Sequence, residues 1–407
     1  MTGMAIELLD LVARWVHVIA GIMWVGNSLL FNWLDRNLVA HPDQTQPASL
    51  RTGGQQSIWL LHSGGFYFVE KTLLPGQSLP VPLHWFKWQA YATWLSGVAL
   101  LFIVYWAGGR AVMVEPGRGT MSHMVAAEYA AGLILLGWMT YEFCNRVIAP
   151  RMPAVSLAIW VLVLAAISFV LVDTLNGRAA YTHVGAMLAT IMAGNVFFTI
   201  VPSQRQLVAS VNAGSQASAA ADSARAKRVS IHNNYFTFPV IVLMVSNHFP
   251  AINGAPNAWL MLLVLTIGGA GVRHVLNDRN TTPHWKVWLA VTMATTVVAL
   301  YGLSMKTWDV ATTSDRAASG PVTFADARHI IDRRCSVCHS AQPADDTFGI
   351  APGGVAFDTP DQIGAYANRI NERAVVSRTM PFGNKTHMTG IERDLIARWF
   401  AQGAPIR

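Results

Sequence analysis

Near the C-terminal end, Cys335-Ser336-Val337-Cys338-His339 places two thiols three positions apart, with an imidazole directly after the second. Thiols at that spacing form thioethers with the two vinyl groups of one porphyrin while the adjacent imidazole reaches the iron, the chemistry of covalent c-type haem attachment. Met380, in "RTMPFGN", is the expected sixth ligand, because Pro381 fixes an extended loop that presses the thioether on the metal. Met388 is the competitor. His and Met together raise the reduction potential of a haem, which suits an electron acceptor. A zinc site or redox dithiol fits the spacing less well: three adjacent ligands cannot close a tetrahedron, and His387 is the one other nearby donor of that kind.

The elements that must hold these residues are legible around them. "FADARHIIDRR" (Phe324 to Arg334) reads as an amphipathic helix leading into the motif. "IERDLIARWFAQGAP" (Ile391 to Pro405) reads as a final helix packing Leu395, Ile396 and Trp399. Residues 323–407 are thus expected to form a small soluble domain, a cytochrome c fold, behind a polar linker at 307–322.

The remainder is a different material. Of 407 residues, 53% are hydrophobic and 13% charged, and the mean hydropathy is +0.35, too apolar for a soluble globule. The net charge of +7 raises the question of nucleic acid. The basic residues are scattered between apolar segments, however, so nucleic acid is not expected and the partner is membrane lipid. Crossing a hydrocarbon core of roughly 30 Å takes about 20 apolar residues. Charge-free runs at 14–35, 87–110, 151–173, 178–205 and 286–306 each hold one helix, the segment Val125 to Tyr141 another, and "PAINGAPN" splits the run 229–272 into two. The expected fold is all-α: an eight-helix transmembrane bundle (residues 1–306) followed by the cytochrome domain. "SIWLLHSGGFYFVEKTLLPG" (Ser57 to Gly76), too short to span, reads as an interfacial or re-entrant helix.

Loop charge sets the orientation. Arg36, Arg51, Lys71, Lys87, Arg146, Arg151, Arg205, Arg225, Lys227, Arg228, Arg273, Arg279 and Lys286 follow odd-numbered spans. Arg14, Arg110, Arg118, Arg178 and Lys306 flank the other side. Both termini and the C-terminal domain are therefore expected in the periplasm of a bacterial inner membrane, with the first span retained rather than cleaved.

Two polar groups interrupt the apolar spans. His17, one turn inside the first span, and His123, His183 and His248, at the expected periplasmic ends of later spans, are candidate ligands for one or two b-type haems; each is equally a core or interfacial histidine. Cys144 reads as a buried structural thiol. On the opposite side, "KRVSIHNNYFTFPV" offers His232, Asn233, Asn234, Tyr235 and Thr237 beside Arg228, and "LLHSGGFYFVEK" adds His62, Glu70 and Lys71. Such donors, acceptors and aromatic faces with one cation suit a planar anionic heterocycle. The alternative is a helix start capped by polar residues.

The eight-span region with "HSGGFY", "HNNYFTFPV" and "SNHFP", fused to a Cys-x-x-Cys-His domain, resembles the integral-membrane, cytochrome-c-fused urate oxidases (PuuD-like) over essentially the whole chain. The resemblance implies oxidation of urate to 5-hydroxyisourate in purine degradation, with electrons passed to the c-type haem and on to a respiratory acceptor. Glu70 or His232 would then act as base, and Asn233, Asn234, Tyr235 and Thr237 would orient the purine. A cytoplasmic urate site and a periplasmic haem stand about a hydrocarbon thickness apart, so either urate binds nearer the periplasmic side or an intermediate redox centre such as a b-type haem on His17 bridges the gap. The alternative function is a non-catalytic, membrane-anchored electron-transfer cytochrome serving a partner dehydrogenase.

Overall fold

The computed structural model describes residues 3–40, 56–71, 79, 82–107, 113–114, 121–255, 257–311, 321–345, 351–384 and 386–406. Arg51, Arg110 and Arg118, residues 72–76 and most of the expected linker (312–320) lie outside them. Among the described residues, eight helices are long and apolar enough to cross a membrane: α1 (Leu8–Asn37), α2 (Lys87–Trp106), α3 (His123–Ile148), α4 (Pro153–Thr174), α5 (Gly177–Asn212), α6 (Ala220–His248), α7 (Ala258–Asn277) and α8 (Trp285–Ser304). They coincide with the eight runs read from charge. The backbone of the last continues helically to Ala311, into the expected linker.

The chain divides into two compact units. The first comprises residues 1–100, 188–240 and 267–294. In it α1 packs against α2, while Leu11, Trp15 and Ile22 stay exposed, as expected of side chains that face lipid. The all-α expectation is corrected here. The stretch after α1 is a three-stranded antiparallel sheet, β1 (Val39–Ala40), β2 (Gln56–His62) and β3 (Gly65–Lys71), and not an interfacial helix. Its cause is local: Ser63 and Gly64, at φ 50° and 75°, form a two-residue turn with both positions left-handed, whose twist suits a hairpin. His62 then pairs with Gly65, and Trp59 with Phe68 across the strands, their rings 4.9 Å apart.

Within this unit α6 and α7 approach closely. A Cβ on Gly269 would stand 3.0 Å from the Pro239 nitrogen and 3.2 Å from the Phe238 carbonyl carbon, so only glycine allows this spacing. Pro239 lies inside the helix, where its missing N–H removes one helical bond at Tyr235.

The second unit comprises residues 101–187, 241–266 and 295–407. Its apolar part includes the α3–α4 pair, with Tyr141 edge-on to Trp160 at 5.7 Å, and the start of α5, where Tyr181, Val184 and Met187 are fully buried. The C-terminal segment has its own core: Ile330 and Ile331 from α9 (Phe324–Arg334), Ile363 from α10 (Pro360–Ala365), Ile370 from α11 (Ala367–Ile370), and Ile396 and Trp399 from α12 (Gly390–Ala401). Three of these helices start with a reciprocal capping box, Thr323 with Asp326, Thr359 with Gln362 and Thr389 with Glu392. Each box satisfies two otherwise orphaned N–H groups, about 1 kcal/mol apiece.

Candidate functional site

The Cys335–His339 motif closes the end of α9. The amide of Cys335 donates to Ile331 at 2.8 Å, and those of Cys338 and His339 donate to the Cys335 carbonyl at 3.1 and 2.9 Å. The three side chains therefore issue from one tight turn anchored on the domain core. His339 Nδ1 lies 3.0 Å from the Val355 carbonyl oxygen. A carbonyl only accepts, so Nδ1 carries the proton and Nε2 keeps its lone pair, the tautomer an iron-ligating imidazole needs. Burial pushes the Cys335 thiol up to about 12, which disfavours its thiolate.

The two methionines differ in burial. Met388 is in the core, 3% exposed, and its amide donates to Asn384 at 2.9 Å. Met380 is half-buried, in a loop fixed by its backbone: its amide donates to Arg373 at 2.9 Å and its carbonyl accepts from Arg393 at 2.8 Å. Two thiols, an oriented imidazole and a loop thioether on a held backbone fit a covalently attached haem.

In the same unit, Tyr105, Trp106, His123, Thr182, His183 and Asn247 form a hydrogen-bonded group where α2 ends in a π-helical turn, Leu101–Trp106. Tyr105 meets Thr182 at 3.0 Å, Thr182 meets Asn247 at 3.0 Å, and His123 Nε2 meets the Tyr105 carbonyl at 3.0 Å. His183 is fully buried. Its Nδ1 donates to Ala179 at 2.7 Å, and its Nε2 accepts from the Trp106 indole at 3.1 Å. In this arrangement neither ring nitrogen of His183 is open to a metal. His248 is exposed. The Arg178 guanidinium lies 6.0 Å from the ring of Phe382, two residues from Met380.

His17, in the first unit, is held differently. Its Nδ1 donates to the Thr93 carbonyl at 2.9 Å, with Ser96 Oγ at 3.2 Å, and the ring packs closely against Gly97, where a Cβ would stand 3.0 Å from the ring carbon Cε1. Its Nε2 therefore keeps the lone pair, as in His339.

The polar cluster of "HNNYFTFPV" faces α5 and α7. Asn233 is buried and fastens α6 to α5, accepting from Asn195 at 2.8 Å and donating to the Met192 carbonyl at 2.9 Å. Asn234 accepts from Arg273 Nε at 2.8 Å and from Asn277 at 2.7 Å, and Thr237 donates to its own helix at Asn234. Tyr235 reaches His274 Nδ1 at 2.7 Å. His274 Nε2 stands 3.7 Å from Asp278, and Asp278 pairs with Arg36 at 2.9 Å. This Tyr–His–Asp–Arg chain borders an open cleft of about 360 Å³ lined by Gly271, His274, Asp278, Thr282, Trp288 and Thr292. Glu70 stands on β3 opposite Ser57, and its Oε1 is buried with no hydrogen-bond partner among the described residues. His232 is half-buried one turn from Arg228, which is exposed.

Arg273 is thus the buried cation of this cluster. Counted above as a loop charge, it sits inside α7 with no exposed surface, a correction that leaves the loop asymmetry intact. The spacings that carry the cluster, Arg273 with Asn277 and His274 with Asp278, are four residues apart on one helix, and Gly269 lies one turn before Arg273.

Eight apolar helices with hydrogen-bonded polar side chains buried between them define a multi-pass helical protein whose interior is built for polar chemistry. Residues 3–304 match the Urate oxidase N-terminal family; the chain belongs to that family, which points to an oxidoreductase with urate as substrate. Searches of curated proteins and of solved structures each found no match.

Proposed function

We propose that the protein oxidises urate to 5-hydroxyisourate in purine catabolism and passes the electrons to a c-type haem held by Cys335, Cys338, His339 and Met380, and from there to a respiratory acceptor. The observation that carries this reading is the family match over the helical region, joined in one chain to a Cys-x-x-Cys-His turn whose imidazole is oriented for iron. When bound, the haem supplies one-electron acceptance at a raised potential.

The balance for the urate monoanion is simple: with one water it loses two electrons and one proton, and the water oxygen bonds to C5. The chain's residues handle the proton and the placement. Tyr235, hydrogen-bonded to His274, whose Nε2 stands 3.7 Å from Asp278, offers a proton route beside the cleft. Glu70, with a buried oxygen that has no partner among the described residues, and His232 are the candidate bases, a carboxylate and an imidazole being the side chains that take up a proton. Asn233, tied at both ends of its amide, acts by fastening the helices that carry Tyr235. His17 would hold a b-type haem through Nε2, which would there serve as a redox centre; His123, His183 and His248 are the further candidates, His183 only after release from Trp106. The protein sits in the inner membrane with both termini in the periplasm.

The test is anaerobic mixing of purified protein with urate while the reduced c-haem band is followed. Stoichiometric reduction by urate alone is expected. A band that stays oxidised until a partner dehydrogenase is added would establish the electron-conduit reading instead. A pyridine haemochrome spectrum showing c-type haem alone would remove the His17 haem.

A further inference from the structure

Arg273 is an ionised group with no surface in contact with solvent, in a helix apolar enough to lie in a membrane. Isolated buried charge costs several kcal/mol unless a counter-charge offsets it. The contacts of this guanidinium are all neutral. Nε donates to the Asn234 amide oxygen at 2.8 Å, and Nη2 reaches the Ser28 carbonyl and hydroxyl oxygens at 3.4 Å each, the outer limit of a hydrogen bond. The Phe238 ring lies 5.4 Å away, and Nη1 has no hydrogen-bond partner among the described residues. No carboxylate pairs with it among the described residues, although Asp278 is near in sequence and is taken by Arg36. A tie between helices would use the whole guanidinium; here one edge is fixed and the other is loosely held or bare.

We propose that Arg273 is the anion-binding residue of the substrate site: its Nη1–Nη2 edge takes the anionic edge of a planar oxopurine, displacing the two long contacts to Ser28. The assignment rests on the urate reading above. Two parallel N–H vectors match an oxygen and a neighbouring ring nitrogen on one purine edge. Asn234 holds the guanidinium at Nε, Asn277 fixes that Asn234 amide in turn, and the Tyr235–His274 pair occupies the adjacent positions on the same two helices. Selection is by charge, since a neutral oxopurine of the same shape leaves the guanidinium uncompensated.

The experiment uses the full-length protein in phosphatidylcholine nanodiscs, whose headgroups carry no net charge. Urate and the neutral oxopurine hypoxanthine are titrated calorimetrically into the parent and R273Q, and the ligand-free melting temperature of each is recorded. R273Q should weaken urate binding by at least ~30-fold, as for truncation of one member of a buried charge pair, while hypoxanthine binding changes little. Its ligand-free melting temperature should stay level or rise, because an uncompensated charge has been removed. An R273Q protein that melts well below the parent or fails to fold marks the guanidinium as a structural tie and overturns the proposal. So does equal loss of both ligands, or unchanged urate affinity in R273Q. Absence of urate binding by the parent instead sinks the urate reading itself, and the Arg273 assignment with it.

Discussion

In the C-terminal domain the residues proposed to meet a haem come from one tight turn and one loop, and are braced by a core those same residues help to close. In the first helical unit the polar side chains come from positions 28, 195, 233–235 and 273–278, on α1, α5, α6 and α7, and they brace one another. The first arrangement is a property of the local chain. The second exists only once four helices have packed, so its parts must be stable in membrane before its chemistry is assembled. The same imidazole tautomer occurs in both units, at His339, His17 and His183. What differs is the neighbour of Nε2: a Trp106 indole closes that nitrogen in His183, and among the described residues no hydrogen bond closes it in the other two.

Separability of the two regions can be broken experimentally. Replacing both thiols, Cys335→Ala with Cys338→Ala, should abolish covalent haem on a denaturing gel entirely while urate binding by calorimetry persists; loss of urate binding as well would mean that the regions do not fold independently. The methionines should separate next. Met388→Ala is expected to cost the C-terminal domain ~2–4 kcal/mol by opening a core cavity, seen as a lower melting temperature with the haem spectrum retained. Met380→Ala should alter the axial-ligand absorption with little change in melting; the reverse pattern would exchange their roles. In the helical unit, Tyr235→Phe breaks the bond to His274 and should slow urate-driven haem reduction by roughly 10²-fold, the usual worth of a positioned proton-transfer group, without altering urate affinity.

The smallest effect concerns the C-terminal caps. Burial raises the Glu392 carboxyl, but bonds from Thr389 and Arg334 outweigh it and hold the group below the usual carboxylate range. Its folded pKa being depressed, its stabilisation is present above the unfolded value and is lost as pH falls through the folded one. Glu392→Gln should therefore lower the domain's stability by about 1 kcal/mol at neutral pH, and the difference from the parent should vanish in acid melts.

The sequence displayed some of this directly and hid the rest for physical reasons. Hydrophobic length reports a span whatever the span touches, so seven of the eight helices were readable from charge-free runs and the eighth from a run broken only by Glu128. The amphipathic pattern of Phe324–Arg334 reported a helix because one face meets Ile363 and Trp399 within the same small core. The β2–β3 hairpin was concealed because its strands are apolar on both faces, leaving Ser63-Gly64 as the only periodic break. Arg273 was concealed for the opposite reason: a charge at the edge of an apolar run looks like a loop residue, and its burial depends on Asn234 and Ser28, 39 and 245 positions away.

The close approach of α6 and α7 at Gly269 has a consequence for inheritance. One methyl group there would push the two backbones apart and carry Arg273 off the Asn234 amide. A lineage could thus lose or retune the buried positive charge without mutating any charged residue. Substitutions at a glycine that touches no ligand would then read, in a survey of natural variants, as changes in substrate choice.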